Sequence, residues 1–279
     1  MKHQPQILHL SNPKHAAKAA THMAKGKPIV TDYGSTFGTA FIGSVRDQVA
    51  ILRRETPPLA VVSLVTTYSQ TSAWLNYDKL HPLLHTPLKN HALRFLEFIA
   101  FLRLPANSLA QDQLGENYIS STQEFQSFIV PDSDPLLKAL IGLGHPYYAV
   151  RSSNISGRPE EFTVEGALTY ATEISSPVLA VTHPQKITDQ NLRKRLGSQP
   201  ILRFPRADEP PVVILTRAGS THPEAIEILI RHLFPQVGFA HREEKSGPPR
   251  TQYHPKDDAI PLDANSVRLA LLKAAGLVQ

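Results

Sequence analysis

Leu136-Leu-Lys-Ala-Leu-Ile-Gly-Leu-Gly-His-Pro-Tyr-Tyr-Ala-Val-Arg-Ser-Ser-Asn-Ile-Ser-Gly157 is the stretch on which the fold turns. Asp134-Pro135 stands just before it, a capping residue followed by a proline suited to a first helical turn. The helix this predicts ends near Gly142–Gly144. Tyr147 to Arg151 then reads as a strand. Arg151-Ser-Ser-Asn-Ile-Ser-Gly157 leaves that strand with small hydroxyl and amide side chains, and Gly157 permits a sharp turn. Thr163-Val-Glu-Gly-Ala167 opens the next helix. Polar side chains at the end of a strand can bond phosphate oxygens, adenine or a carboxylate. Taken by itself, such a segment is more often an ordinary Ser/Asn turn.

Working outward, the alternation continues. Ser11 to Lys25 predicts a helix with Ser11 as N-cap, Pro13 in the first turn and Gly26 at the exit. Lys27 to Asp32 predicts a strand, and Tyr33 to Gly43, rich in Gly, Ser and Thr, a loop. Ser44-Val-Arg-Asp47 resembles a capping box that opens a helix to about Arg54. Leu59 to Val65 is a β-rich run, and Leu88 to Leu104, apolar nearly all round, predicts a long buried helix. Asn107 to Val130 is ambiguous, with strand-like patches at Tyr118–Ile119 and Ser127–Val130. Strands at Val178–Thr182 and Pro211–Thr216 alternate with helices at Asp189–Leu196 and Pro223–Phe234. The reading is α/β: one domain over residues 7–235, a linker or arm over 236–261, and a C-terminal helix over 262–279.

Composition bounds the function. At 279 residues and 41% hydrophobic, the chain can bury a core, so default disorder is excluded. With no cysteine there is no disulfide scaffold, thiol nucleophile or cysteine-ligated zinc. No apolar run reaches a membrane span, and the N-terminus lacks the core of a secretory signal, so a cytoplasmic protein is expected. The net charge of +5 suits an anionic ligand, nucleotide or RNA, without selecting one. No Gly-x-Ser-x-Gly elbow, P-loop or Gly-x-Gly-x-x-Gly fingerprint is present. His81 and His85 have i,i+4 spacing, but no third ligand is evident, and a polar turn is the simpler reading. Arg193-Lys-Arg195 is most simply a solvated face.

The quoted stretch, together with Thr163-Val-Glu-Gly-Ala167, resembles the YrdC family of threonylcarbamoyl-AMP synthases, with Ser152 and Asn154 on the family's S-x-N pair. Other segments follow in family order. Gly26 to Gly38 resembles the P-T-D-T-V-Y-G-L-G signature through Thr31 and Asp32, with Ser35 at the family Tyr. Arg53 to Leu59 resembles K-x-R...P-L, with Arg53 on the Arg and Ile51 on the Lys, and Arg54 beside them as a substitute charge. Val212 to Gly219 resembles the late V-x-I-L-R-x-G strand, with Arg217 on its Arg. Ser246 to Lys256 resembles the arm that follows the catalytic domain in longer members. The family's P-G-P-x-T would fall near Leu104–Leu109, and Ile129 stands where R-x-P-x-H has its Arg.

The resemblance implies a YrdC-like twisted mixed sheet flanked by helices, with a C-terminal arm and helix. It also implies an enzyme that joins L-threonine, bicarbonate and ATP, with Mg2+, into threonylcarbamoyl-adenylate for tRNA modification. In that reading Arg53 and Arg54 are catalytic, Thr31, Asp32 and Ser35 hold the amino acid, and Ser152, Asn154 and Arg217 hold the nucleotide. RNA and tRNA-modification proteins are the implied partners. The alternatives are a nucleotide- or RNA-binding module without synthesis, and carbamoyl-adenylate chemistry on another amine.

Overall fold

Short apolar runs separated by capped helices build the sheet. The computed structural model describes residues 4–32, 37–55, 62–155, 163–181, 199–218 and 223–242. Its strands are β1 (Gln6–His9), β2 (Ile29–Asp32), β3 (Phe37–Phe41), β4 (Ser63–Thr67), β5 (Phe101–Pro105), β6 (Glu124–Val130), β7 (Tyr147–Ser152), β8 (Val178–Val181), β9 (Ile201–Arg203), β10 (Val212–Arg217) and β11 (Gly238–His241). They form one mixed sheet in the order β1-β8-β2-β3-β7-β4-β6-β5-β9-β10-β11. The helices are α1 (Pro13–Ala24), α2 (Arg46–Leu52), α3 (Tyr68–Trp74), α4 (His85–Lys89), α5 (Ser108–Leu114), α6 (Pro135–Ile141), α7 (Val164–Glu173) and α8 (Pro223–Leu233).

Alternation along the strands sends side chains to two cores. On one face Ala16, Ala19 and Met23 of α1 and Leu136, Leu137 and Leu140 of α6 pack against Ile29, Ala40, Val65, Phe128 and Val150. On the other, Trp74, Leu84, Phe125, Ile129, Phe204 and Phe234 form a larger core. A third cluster seats Ala167, Tyr170 and Ala171 of α7 on Val30, Phe37 and Leu179.

The strand–turn–helix reading around β7 holds. Asp134 accepts from Leu137 N at 2.8 Å to cap α6, and Thr163 accepts from Gly166 N at 3.0 Å to cap α7. Four expectations change. Asn12, not Ser11, caps α1, accepting from Lys14 N at 3.0 Å. The Ser44–Asp47 capping box does not form: a 3-10 turn over Gly43–Val45 leads into α2, whose N-cap Val45 makes no side-chain bond.

Within the expected loop over Tyr33–Gly43 lies β3, a central strand whose residues are all buried. Its Gly, Thr and Ala fit close packing, with Thr39 bonded to Tyr170 Oη at 2.7 Å. The long helix over Leu88–Leu104 is instead α4, a 3-10 turn at Ala92–Leu96, and β5. His91 and Phe98, at φ 64° and 58°, break it twice. An unbroken apolar run serves a buried strand as well as a helix, and here pairing with β6 decided.

The sheet extends beyond residue 235, since β11 pairs in parallel with β10. The expected helix at Asp189–Leu196, the rest of the arm and the C-terminal helix lie outside the described residues. The stretch near Leu104–Leu109 runs from β5 into α5. His81 caps a turn by accepting from Leu83 N at 3.3 Å, the polar-turn reading, and no group of three metal-ligating side chains occurs among the described residues. No described helix is long and apolar enough to cross a membrane.

Candidate functional site

The site is built where β7 ends. Pairing places Thr31 of β2 opposite Gly38 of β3, and Gly38 opposite Ser152 of β7. Thr31 alternates with Val30 and lies on the face of Ile29, while Ser152 lies on the face of Val150 and Tyr148. Both therefore face the side covered by α1 and α6. Gly38 contributes no side chain between them, and two strand spacings leave about 10 Å from one to the other.

The turn after β7 is fixed by its own bonds. Ser153 N and Oγ both donate to Phe37 O, at 3.0 and 2.7 Å, which buries Ser153. Ser152 Oγ donates to Asn154 Oδ1 at 2.6 Å, and Asn154 N donates to Ser152 O at 3.0 Å. Arg53, the residue that ends α2, reaches this turn with only 5% of its surface exposed. Its Nη1 donates to Ser152 O at 2.6 Å, and its Nη2 lies 3.4 Å from both Ser152 Oγ and Asn154 Oδ1.

A buried guanidinium requires an anion. Glu55 supplies it, with Oε1 3.0 Å from Arg53 Nε and Oε2 3.6 Å from Arg151 Nη2. One carboxylate thus lies between two cations. Tyr170 stands near the same group. Burial pushes its phenol up from the ordinary value, Arg53 opposes that, and Tyr170 stays neutral against Thr39.

Thr31 is 1% exposed, and among the described residues its Oγ1 has no hydrogen-bond partner. A buried hydroxyl without a partner is costly unless a ligand completes it. Asp32 beside it is half-buried.

The structure therefore gathers Arg53, Ser152 and Asn154, with Thr31 and Asp32 two strands away. It does not gather the other expected residues. Arg54 is exposed at φ 56° and has no hydrogen bond to Ser152 or Asn154. The left-handed turn after α2 carries its side chain off the buried path that Arg53 takes. Arg217 lies on β10, separated from β7 by four strands, where both Nε and Nη2 donate to Gln199 O. The strand directions put it at the opposite end of the sheet from Ser152. Ser35 lies outside the described residues.

Ile129, at the position where the resemblance would place an Arg, is fully buried in the core behind the sheet, because β6 turns that position away from the face of Ser152. Ile51, at the position where the resemblance would place a Lys, is 75% exposed. Glu55 and Arg151 were not among the residues expected in the site, although Arg151 begins the polar turn and Glu55 follows Arg53-Arg54. A cavity of about 350 Å³ lies elsewhere, among Ser44, Tyr118, His145 and Tyr147, and neither Ser152 nor Asn154 lines it.

This is the class of a YrdC-like fold: an α/β mixed sheet with an S-x-N turn at the end of a strand and a buried arginine against it. Solved structures agree. A P. abyssi Sua5 complexed with L-threonine superposes with a TM-score of 0.59 at 13% identity, over 84% of this chain and 62% of that one. E. coli YciO gives 0.54 at 13%, over 78% of this chain and 97% of that one. The hypothetical protein smu.1377c of Streptococcus mutans gives 0.63 at 12%, over 86% and 99%. The chain thus spans less than two thirds of the Sua5 it matches. No family model and no curated protein sequence matches the chain.

Proposed function

We propose that the chain forms a carbamoyl-adenylate from an amine, bicarbonate and ATP, with L-threonine as the amine. The observation that carries this reading is the buried Arg53 on the S-x-N turn, two strands from the unpartnered hydroxyl of Thr31. The fold likeness to a Sua5 complexed with L-threonine supports it.

In the reaction the carboxylated amine attacks the α-phosphorus through a carbamate oxygen. A new O–P bond forms as the bond to pyrophosphate breaks. Negative charge accumulates on the phosphates, so catalysis is positioning plus fixed positive charge. Arg53, held rigid by Ser152 and Glu55, supplies that charge without reorganising. Ser152 and Asn154 orient the phosphoryl oxygens, and Thr31 with Asp32 holds the amino acid. Among the described residues the donor set does not fit a magnesium ion held by protein alone: no three acidic or imidazole groups converge there, and Glu55 is committed to Arg53 and Arg151. Magnesium is therefore written as part of the ATP substrate. The product would serve tRNA modification in the cytoplasm, with tRNA and modification proteins as partners.

A second reading is a nucleotide- or RNA-binding module that has lost synthesis. The placement of Ile51 and Ile129 favours it, since neither position offers a cation. Pyrophosphate release with ATP and bicarbonate, run with each amino acid in turn, separates the readings. Release dependent on L-threonine supports the proposal. Release with a different amine changes the substrate. ATP binding without release selects the binding module.

A further inference from the structure

Between Gln4 and Thr31 the chain has no Asp or Glu, yet it carries Lys14, Lys18, Lys25 and Lys27 with His9, His15 and His22. Most of these groups lie on α1. Ala16, Ala19, Ala20 and Met23 are its buried positions. At about 100° per residue, Lys14, Lys18 and Lys25 fall within about 40° of one another on the opposite side. All three are exposed, as is Lys27 just beyond the helix. From Lys14 to Lys25 the stripe is about 16 Å long.

The fold does not neutralise this charge. Among the described residues none of the four lysines pairs with a carboxylate, and Lys18 donates to the side-chain amide of Gln6. The first turn of α1 has no acidic residue, although the helix macrodipole favours one there, and it carries Lys14 instead. Lys14 and Lys18 are four residues apart, a spacing at which like charges repel. Burial, and then Lys27, Lys18 and Lys25, hold His22 below its ordinary value, so these lysines act on one region. Beside α1, Asp134 is committed to capping α6, and Asp32 is half-buried at the end of β2. A stripe that breaks these local rules without an internal partner is complementary to a polyanion.

The apolar side of α1 is already buried on the sheet, so the helix has none to offer a bilayer. Its exposed residues include no large apolar or aromatic side chain to anchor a protein partner. Phosphates need neither, and cations about 6 Å apart along an axis can each meet one without reading a base. The stripe also starts near the candidate site. Parallel β1, β8 and β2 finish at one end of the sheet, where α1 begins, and pairing through β3 puts Ser152 at that same end.

We propose that Lys14, Lys18, Lys25 and Lys27 form a docking surface for the phosphate backbone of an RNA, which lies along α1 toward the end of the sheet that carries Ser152. The surface stands on charge and placement. The choice of RNA over DNA rests on the proposed function, whose product would serve tRNA.

The test is fluorescence anisotropy of labelled, unfractionated tRNA with the full chain, without ATP, between about 50 and 200 mM salt. The triple variant Lys14→Gln, Lys18→Gln, Lys25→Gln is expected to bind about ten- to hundredfold more weakly at low salt. Its plot of log affinity against log salt should be shallower by about 2–3, a step of about 0.7–0.9 for each lost phosphate contact. Lys14→Gln alone should take about one such step, and Lys89→Gln, on α4 behind the sheet, none. The triple variant should melt at or above the wild-type temperature, because only like-charge repulsion is removed. An unchanged slope in the triple variant, or an equal loss in Lys89→Gln, overturns the inference. So does tighter binding of duplex DNA than of tRNA, or binding of phosphatidylserine vesicles in place of RNA. A wild-type chain that binds tRNA through the stripe but releases no pyrophosphate supports the docking surface and removes the synthase reading, so the two failures are distinguishable.

Discussion

Arg53 Nη1 donates to the carbonyl oxygen of Ser152 at 2.6 Å, joining residues 99 apart in the chain. The end of α2 and the end of β7 are thereby held as one unit, and Glu55 and Arg151 complete it. Arg53→Met should leave the Ser152 carbonyl and Glu55 short of a donor and cost about 1–3 kcal/mol. Urea unfolding measures this, and an unchanged midpoint would show that the guanidinium does not hold the turn. Pyrophosphate release should fall by about two decades or more in the same variant, as for loss of a preorganised charge.

Thr31→Val separates folding from binding. The substitution keeps the shape and removes a buried hydroxyl that has no partner. Stability should stay equal or rise by up to about 1 kcal/mol, because no bond is lost on folding. Binding of L-threonine should weaken about tenfold or more, as for one lost hydrogen bond to a charged group. Calorimetric titration with L-threonine showing wild-type affinity would remove Thr31 from the site.

The two positions at which the resemblance would place cations differ in kind. Ile51 is 75% exposed on α2, so Ile51→Lys should change stability by less than about 0.5 kcal/mol. Ile129 is fully buried in an apolar core, so Ile129→Arg should cost about 4 kcal/mol or more and fail to restore charge to the cleft. Thermal melting of the two variants side by side checks the contrast. A stably folded Ile129→Arg with raised ATP affinity would contradict the face assignment of β6.

Gly43 and Tyr118 form a coupled pair. A Cβ at Gly43 would stand 2.0 Å from Tyr118 Oη, a hydroxyl that is itself buried and unpartnered among the described residues. Gly43→Ala should cost about 1–3 kcal/mol from overpacking. Tyr118→Phe should be neutral or stabilising alone, and should recover part of the Gly43→Ala loss when combined with it. A double-mutant cycle on unfolding free energies with no coupling would show that the loop relaxes freely.

Acid sensitivity has an identifiable contributor in α1. Burial, and then the charges of Lys27, Lys18 and Lys25, hold His22 below its ordinary value of 6.5. The unfolded chain therefore takes up this proton at higher pH than the folded one. The stabilisation is complete above pH 6.5, decreases as pH falls through that value, and is fully lost below the folded pKa. His22→Gln should flatten the stability profile over this window. An unchanged slope in denaturant midpoints would place the effect on another group.

The sequence by itself determined the local units. Asp134-Pro135 and Thr163 name their helices because capping chemistry acts within four residues, and the Tyr147–Arg151 strand with its Ser/Asn exit is legible for the same reason. Arg53, Ser152 and Asn154 could be named from motif spacing. Tertiary structure alone decided which of the expected residues meet. Arg217 has a motif match as good as that of Arg53, yet antiparallel pairing of β10 on β9 sends it to the far end of the sheet. β3 shows no clean alternation because both faces of a central strand are buried, and Leu88–Leu104 became a turn and a strand because β6 offered a partner. The hydrogen-bonded row of Ser63, Gln126 and Arg103 across β4, β6 and β5 was invisible in the same way. Its members are 23 and 63 residues apart in sequence, and only the register of three strands puts their side chains on one face.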